Sequence, residues 1–267
     1  MGPSDTQLIE YLTKCDAVAL HSVVVSLKSK LSGSSGELAE RYPTPESIPN
    51  TRTKARKDLA QAVVGLLRWY ASDSIAFLFR KVFSGDGGIH YHEIVRDVAN
   101  LLNGRLSKKD RVKIPKAASV AETERVIIQV LLRLSFKDKS QEEIAQVLKE
   151  AGLEKDAAWA AAKKYGAGLS SVTIPVLTKI LGKKTVKVLI ERIMVAILSK
   201  TIGKEAASAI AKRLLIQVSQ KAITRFLNVV GWILAGLDVL LFTTSPAKRM
   251  TVPTVALIAV FRERDRL

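Results

Sequence analysis

Residues 186–198 read VKVLIERIMVAIL, and this stretch decides the fold class. It contains only three strongly polar side chains, those of Lys187, Glu191 and Arg192. A helix with so little polar surface is stable only when other elements cover almost all of it. The stretch therefore predicts an all-α fold, a multi-helix bundle in which this helix is nearly surrounded.

The composition also favours helices. Of the 267 residues, 48% are hydrophobic, which is enough for a sizeable core, whereas only 6% are aromatic. Sheets favour aromatic and β-branched side chains together, while sequences rich in Ala, Leu and Lys favour helices. Cys15 is the only cysteine, so the chain has no internal disulfide and a reducing, cytoplasmic compartment is expected.

Proline-rich and polar segments suggest where the chain is divided. The segment RYPTPESIPN at 41–50 is typical of a loop, and LSKKDRVKIPKAAS at 106–119 is typical of a basic connection. We therefore expect a helical N-terminal unit over residues 1–110 and a basic helical core domain over residues 111–267. The two could also form one continuous domain.

Two charged residues in the first unit are assigned by local pattern alone. Ser4 and Asp5 stand where they can cap a first helix. In a later helix, the apolar period that includes Leu59 and Val63 predicts that Arg68 lies on the opposite, solvent-facing side.

The segment SQEEIAQVLKEAGLEKDAAWAAAKKYG at 140–166 indicates two helices. Ser140 and Glu143 form a capping box, and the first helix is expected to stop at Gly152. Two helices joined by a Gly-containing turn also occur in helix-turn-helix proteins that bind DNA. Because the second helix offers mainly alanine and few side chains that read bases, a plain helical hairpin is the favoured interpretation.

Positive charge is concentrated in the last part of the chain. The net charge is +17, and residues 157–267 contribute +13 of it through 18 Lys and Arg against five Asp and Glu. Such a field raises encounter rates with polyanions, whether nucleic acid or an anionic membrane. The residues predicted to bind an anionic surface are Lys212, Arg213, Lys221, Arg225, Lys248, Arg249, Arg262 and Arg264.

The same region contains a strongly apolar segment, FLNVVGWILAGLDVLLF at 226–242. It approaches the ~20 residues that span a bilayer, but Asp238 at depth would cost roughly 2.5–3.5 kcal/mol. Three interpretations stay open: the innermost helix of a soluble bundle, a C-terminal helical hairpin that enters a bilayer conditionally, and a constitutive span. Residues 252–261, the apolar centre of the last helix, are too few to span and are expected to be buried. The residues predicted to form the apolar hairpin are Trp232, Leu234, Leu237, Leu240, Leu241 and Phe242.

No residue pattern in the sequence identifies an active site. The segment IHYHE at 89–93 brings two histidines close together, and His90 and His92 are candidate metal ligands. No third ligand stands at a diagnostic spacing, so the favoured interpretation is that they flank the start of a helix. We therefore predict no cofactor, no catalytic residue and no small-molecule substrate.

Two segments resemble the bacterial YaaW family. Residues 72–102, SDSIAFLFRKVFSGDGGIHYHEIVRDVANLL, resemble its middle block, with a Ser-Ile-Ala start, a Gly-containing turn and an amphipathic helix. Residues 248–264, KRMTVPTVALIAVFRER, are similar to its ending. The matching residues are Arg249, Thr251, Val252, Pro253, Ile258, Ala259 and Arg262. Some members are grouped loosely with ubiquinol–cytochrome c chaperones, so the resemblance implies a bacterial, helical, non-enzymatic assembly factor.

These observations lead to three hypotheses. The first is a non-enzymatic interaction or assembly protein at the cytoplasmic face of a membrane, peripheral on the inner membrane, whose partners are a protein, an anionic membrane surface or both. The second is a nucleic-acid-binding protein that uses non-specific phosphate contacts. The third is an enzyme whose site the motifs do not show. The first is preferred because it uses both the basic excess and the apolar C-terminal helices.

Overall fold

Every secondary-structure element in the described part of the chain is a helix. The computed structural model describes residues 1–27, 34–72, 89–136, 139–166, 168, 172–214 and 246–267. Within those ranges there are twelve α-helices, two short 3₁₀ helices and no strand. The predicted all-α helical-bundle fold is confirmed. The predicted apolar hairpin around 226–242 lies outside the described residues and stays a prediction.

The chain divides into two compact units, Met1–Val98 with Leu240–Ile258 and Ala99–Val239 with Ala259–Leu267. The expected division at residue 110 stays a prediction. The helices are α1 (Pro3–Lys14), α2 (Ala17–Ser26), α3 (Ser34–Arg41), α4 (Lys54–Ala71), α5 (Tyr91–Asn103), α6 (Val120–Phe136), α7 (Gln141–Glu150), α8 (Lys155–Tyr165), α9 (Ile174–Leu181), α10 (Lys183–Thr201), α11 (Lys204–Leu214) and α12 (Pro246–Arg266).

In the first unit, a buried arginine closes the C-terminal end of α1. Helix α1 packs against α4, and the Arg56 side chain of α4 is fully buried. Its guanidinium donates to the carbonyls of Thr13, Cys15 and Pro49. The last carbonyls of a helix have no partner within the helix, so the Arg56 side chain supplies the donors that this end of α1 lacks.

Arg68 also lies inside the first unit, so the prediction that it faces solvent is wrong. Its exposed fraction is 8%, and its Nε donates to the Ile89 carbonyl oxygen over 3.2 Å. The same nitrogen lies 3.7 Å from the Asp5 carboxylate. The apolar period of α4 did not indicate this, because the partners of Arg68 belong to distant segments on which local spacing carries no information.

In the second unit, α10 is covered along most of its length, as its sequence predicts. It packs against α6, α9 and α11, and every residue from 189 to 199 is buried. Arg192 is among them, and its guanidinium is neutralised by Glu150, with Nη2 and Oε2 3.4 Å apart. Burial raises the pKa of the Glu191 carboxyl above its ordinary value, against the opposing charges of Lys187 and Arg264.

The predicted helical hairpin at 140–166 is present as α7 and α8, which pack against each other. The Ser140 hydroxyl accepts from the Glu143 N–H over 3.2 Å, and the Glu143 carboxylate accepts from the Ser140 N–H over 2.9 Å. This is the predicted capping box. Gly152 follows the helix with φ of 95°, a left-handed conformation that suits glycine at a helix end.

The last helix, α12, is buried over residues 250–261, as expected for its apolar centre. Pro253 stands inside it and removes one backbone donor. Next to this position, the Thr254 hydroxyl donates to the Met250 carbonyl over 2.8 Å and lies 2.9 Å from the Ser26 hydroxyl in α2. Among the helices that the structure describes, none has both the length and the hydropathy that crossing a bilayer requires.

Candidate functional site

Over residues 157–213 of the second unit, the exposed charge is almost entirely positive. Between residues 157 and 213, the described side chains include eight exposed cations and one exposed acid, Glu205. The exposed cations are Lys163, Lys164, Lys179, Lys183, Lys184, Lys187, Lys212 and Arg213. The excess of positive charge in this part of the sequence is therefore found on the surface of the described residues.

Four of these cations surround the junction between α9 and α10, and we call them the α9–α10 lysine cluster: Lys179, Lys183, Lys184 and Lys187. Gly182 separates the two helices with φ of 81° and ψ of 151°. Its N–H donates to the Thr178 carbonyl over 2.9 Å, and its carbonyl accepts from the Val186 N–H over 3.2 Å. One glycine thus ends α9 and begins α10, because few other residues adopt this conformation.

The lysines at the start of α10 lie on one side of the helix. At about 100° per residue, the side chains of Lys183, Lys184 and Lys187 fall within an arc of about 100°. The first turn of α10 has no acidic residue, although the positive end of the helix dipole favours acids and disfavours cations there. None of the ion pairs among the described residues involves the lysine cluster. The only opposing charge recorded for the cluster among the described residues is that of Glu191, one turn after Lys187, so Lys179, Lys183 and Lys184 keep their positive potential.

Of the residues predicted to bind an anionic surface, two are exposed in the structure and four have side chains that lie outside the described part. Lys212 and Arg213 are exposed near the end of α11. Lys221 and Arg225 lie outside the described residues, and so do the side chains of Lys248 and Arg249, whose backbone belongs to α12.

Arg262 and Arg264, by contrast, are engaged within the second unit. Arg262 Nη1 lies 2.9 Å from Oε1 of Glu124, and Arg264 Nη2 lies 2.8 Å from Oδ1 of Asp265. Glu124 is fully buried, while the Arg262 side chain is 11% exposed. Arg262 thus belongs to an ion-pair network, whereas Arg264 pairs with its neighbour in the sequence, and the binding of both to an anionic surface stays a prediction.

The rest of this network fastens the end of α12 to the beginning of α6. The Glu263 carboxylate lies 3.2 Å from Arg125 Nε and 2.8 Å from Arg266 Nη1. Because Glu263 and Glu124 are buried, these pairs are screened by salt less than exposed pairs. The sequence does not reveal the pairs Arg262–Glu124 and Arg125–Glu263, because the two residues of each pair are 138 residues apart along the chain.

The residues predicted to form the apolar hairpin all lie outside the described part of the chain. They are Trp232, Leu234, Leu237, Leu240, Leu241 and Phe242.

His90 and His92 flank the start of α5, as the favoured interpretation has it. His90 Nδ1 lies 2.9 Å from Asp5 Oδ2, and His92 Nδ1 lies 3.4 Å from the Ser4 hydroxyl. Their rings are nearly parallel, with centroids 6.1 Å apart. Within the described ranges, no group of three or more His, Cys, Asp or Glu side chains is arranged to hold a metal ion.

Asp5 is a buried carboxylate whose role the sequence did not reveal. Gly2, rather than Ser4 or Asp5, is the N-cap residue of α1, and the Gly2 N–H donates to Asp5. Asp5 also accepts from the Tyr91 N–H over 2.8 Å, at the start of α5. Burial by itself raises the pKa of Asp5, but hydrogen bonds from His90, Tyr91 and Gly2 together with the charge of Arg68 outweigh it, so the pKa is lower than usual.

The sequence alone does not identify the lysine cluster as a site. The segment TKILGKKTVK at 178–187 contains all four lysines, and its central glycine is the signal that two helices meet there. Which lysines remain exposed after α9 and α10 pack depends on tertiary contacts, so the segment alone does not reveal it.

Comparisons of this chain with protein-family models, with curated proteins and with solved structures find no match. The resemblance to the YaaW family stays a prediction from the two quoted segments.

Proposed function

We propose that this protein is a non-enzymatic interaction protein that acts at the cytoplasmic face of a membrane by binding an anionic phospholipid surface. The observation that carries the proposal is the excess of eight exposed cations over one exposed acid between residues 157 and 213, in the described part of the second unit. Each Lys or Arg near an anionic bilayer contributes about 1 kcal/mol to binding. An assembly role, in which a protein partner is held at that surface, rests on the family resemblance alone.

An exposed apolar side chain beside the lysine cluster favours a bilayer over nucleic acid. Val176 of α9 is 42% exposed, and Lys179 lies one turn later on the same helix. The preceding residue, Pro175, is exposed as well. Apolar side chains next to cations suit a membrane interface, where headgroups lie over hydrocarbon. A phosphate backbone offers the lysines a partner but offers Val176 none.

The proposal is tested by co-sedimentation of the full chain with anionic phosphatidylglycerol vesicles and with neutral phosphatidylcholine vesicles. The variant Lys183→Gln/Lys184→Gln removes two charges from the cluster. At about 1 kcal/mol per lysine, its partition onto anionic vesicles is expected to fall roughly 30-fold.

The matched control is Lys54→Gln/Lys57→Gln. These lysines are also exposed and also lie in the first turns of a long helix, α4, so the total charge and the helix-dipole effect change in the same way. The control is expected to keep most of the wild-type affinity. Equal binding to neutral vesicles, or equal loss in both variants, would contradict a role for the cluster. Binding to duplex DNA with steep salt dependence and no lipid preference would favour the nucleic-acid hypothesis.

A further inference from the structure

Helix α8 exposes a tryptophan between two lysines. Trp159 is 41% exposed, and Lys155 and Lys163 lie four residues before and after it. Residues four apart on a helix are neighbours on one face, so an ammonium group stands one turn away on each side of the indole. Both lysines are exposed. The helix as a whole carries three lysines and one acid, Asp156.

The packing of α8 explains why the indole points outward. The buried positions of this helix are Ala158, Ala161 and Ala162, small side chains that allow a close approach to α7. Trp159 lies beside these positions and stays 41% exposed, although tryptophan usually buries more apolar surface than other residues.

An open cleft of about 430 Å³ lies beside the indole, between α7 and α8. Ala145, Gln146 and Lys149 of α7 line it opposite Trp159, and Lys155 lines it as well. Lys149 and Lys155 stand on either side of the turn that joins the helices, which also carries the exposed Glu154, so this end of the cleft offers two cations beside one acid. Two glutamates, Glu142 and Glu143, line the cleft near the start of α7 and would repel an anion there.

We propose that Trp159, together with Lys149, Lys155 and Lys163, is an interfacial anchor that inserts into the headgroup region of an anionic phospholipid bilayer. The inference rests on the proposed function and names the residues that enter the bilayer. An indole has an apolar body and one N–H donor, and this combination concentrates tryptophan at membrane interfaces. Lysines around it pair with lipid phosphates while their aliphatic stems lie beside the indole in the interfacial region.

Single-stranded nucleic acid is the other partner that combines phosphates with flat apolar groups. Strands are held by successive aromatic side chains that stack successive bases. The described faces of α7 and α8 offer one exposed tryptophan between lysines, and Tyr165 at the end of α8 is covered in part by Lys164, 5.2 Å from its ring centre. This arrangement suits a single insertion into a bilayer better than a row of stacked bases.

The test uses the full chain with one tryptophan at a time, because it contains three, Trp69, Trp159 and Trp232. The variant Trp69→Phe/Trp232→Phe keeps Trp159. On adding phosphatidylglycerol vesicles, the emission of Trp159 is expected to shift to shorter wavelength, to be quenched by brominated lipid and to lose its quenching by acrylamide. A second readout is the partition of Trp159→Ala, expected to be about tenfold weaker than that of wild type.

The matched control keeps Trp69 in the variant Trp159→Phe/Trp232→Phe. Trp69 is 56% exposed, but the residue four positions before it on α4 is Gly65 and no lysine lies within one turn on that helix. Its emission is expected to stay unchanged by vesicles. If either variant fails to fold, the difference spectrum between wild type and Trp159→Phe reports the same residue.

Co-sedimentation of the same samples separates the two proposals. Protein that binds the vesicles while Trp159 stays open to acrylamide would overturn the anchor and leave the proposed function standing. Absence of binding would overturn both. The anchor is also overturned if a single-stranded oligonucleotide changes the Trp159 emission and vesicles do not, or if soluble glycerol phosphate changes it as strongly as vesicles do.

Discussion

Asp5 shows how one buried charge can organise a unit of this protein. Its carboxylate joins the start of α1 to the start of α5, 85 residues away along the chain, through His90 Nδ1. Both helix starts present unpaired N–H groups and the positive end of a dipole, so a carboxylate satisfies both at once. The charge of Asp5 is thus stabilised by its position even though it is removed from water.

We expect Asp5→Asn to lower the free energy of unfolding at pH 7 by about 2 kcal/mol, since hydrogen bonds to the charged form are lost. The folded-state pKa of Asp5 is lower than its unfolded value. The stabilisation is therefore complete above the unfolded pKa and is lost as the pH falls through the folded pKa. Urea unfolding of wild type and variant at neutral pH and in the acid range measures the difference, which is expected to shrink on acidification.

A suitable control is Asp16→Asn. Asp16 caps α2 by accepting from the Ala19 N–H over 2.7 Å, and asparagine is an equally good N-cap residue. The free energy of unfolding of this variant is expected to fall less than that of Asp5→Asn at neutral pH, because the cap is kept and only the attraction of Asp16 to the Arg56 guanidinium is lost. A loss for Asp5→Asn that has the same size at both ends of the pH range would show that the charge of the carboxylate does not matter.

At this scale the sequence predicts local partners and misses distant ones. The pair Ser140 and Glu143 was found because its members lie three residues apart and bond each other's backbone. Asp5 was assigned to a cap, and it does accept from the Gly2 N–H at the start of α1. Its contacts with the start of α5 were missed and Arg68 was assigned to solvent, because these partners stand on other segments. The engagement of Arg262 by Glu124, separated by 138 residues, was hidden for the same reason.

Among the elements, the junction of α9 and α10 depends on the backbone of one residue. Gly182 has φ of 81° and ψ of 151°, a combination of backbone angles that residues with a Cβ rarely adopt. A Cβ built there meets no atom within 4 Å, so any cost of substitution is conformational and not a clash. The positions of the four lysines around the junction follow from this conformation.

We expect Gly182→Ala to destabilise the protein by about 1–3 kcal/mol and to weaken vesicle binding, because the start of α10 must shift. Urea unfolding and co-sedimentation measure the two effects.

Gly65→Ala provides the opposite case. Gly65 lies inside α4, and a Cβ there also meets nothing within 4 Å. This substitution is expected to stabilise the protein by roughly 0.5–1 kcal/mol, because alanine loses less backbone entropy in a helix. Stabilisation by Gly182→Ala would contradict the conformational argument.

Helix positions were easier to predict from the sequence than helix surfaces. The burial of α10 and of the centre of α12 followed from the small number of polar side chains in each. The exposure of Trp159 did not follow, because an alanine-rich helix does not indicate which side packs against a neighbour. Only the contact of α7 with α8 decides that the alanines face inward and the indole outward.

The whole molecule has a net charge of +17, so charge attraction can hold it on an anionic bilayer in addition to apolar insertion. Charge attraction acts through exposed lysines and is screened by salt, whereas apolar insertion is not. The anchor at Trp159 requires both, with lysines bringing the surface close and the indole entering it. The buried pairs of Glu124 and Glu263 are protected from the same screening.

We therefore expect partition onto phosphatidylglycerol vesicles to fall about tenfold or more between about 0.05 M and about 0.3 M NaCl, as the Debye length shortens from more than roughly 10 Å to less than roughly 8 Å. The urea midpoint of the protein alone is expected to change little over the same range, because the ion pairs that join α12 to α6 have buried carboxylates. At high salt, the residual binding should depend on Trp159 and no longer on Lys183 and Lys184, so Trp159→Phe and Lys183→Gln/Lys184→Gln separate the two contributions. Binding that does not respond to salt would mean that apolar burial alone holds the protein on the bilayer, and the exposed cations would then need another partner.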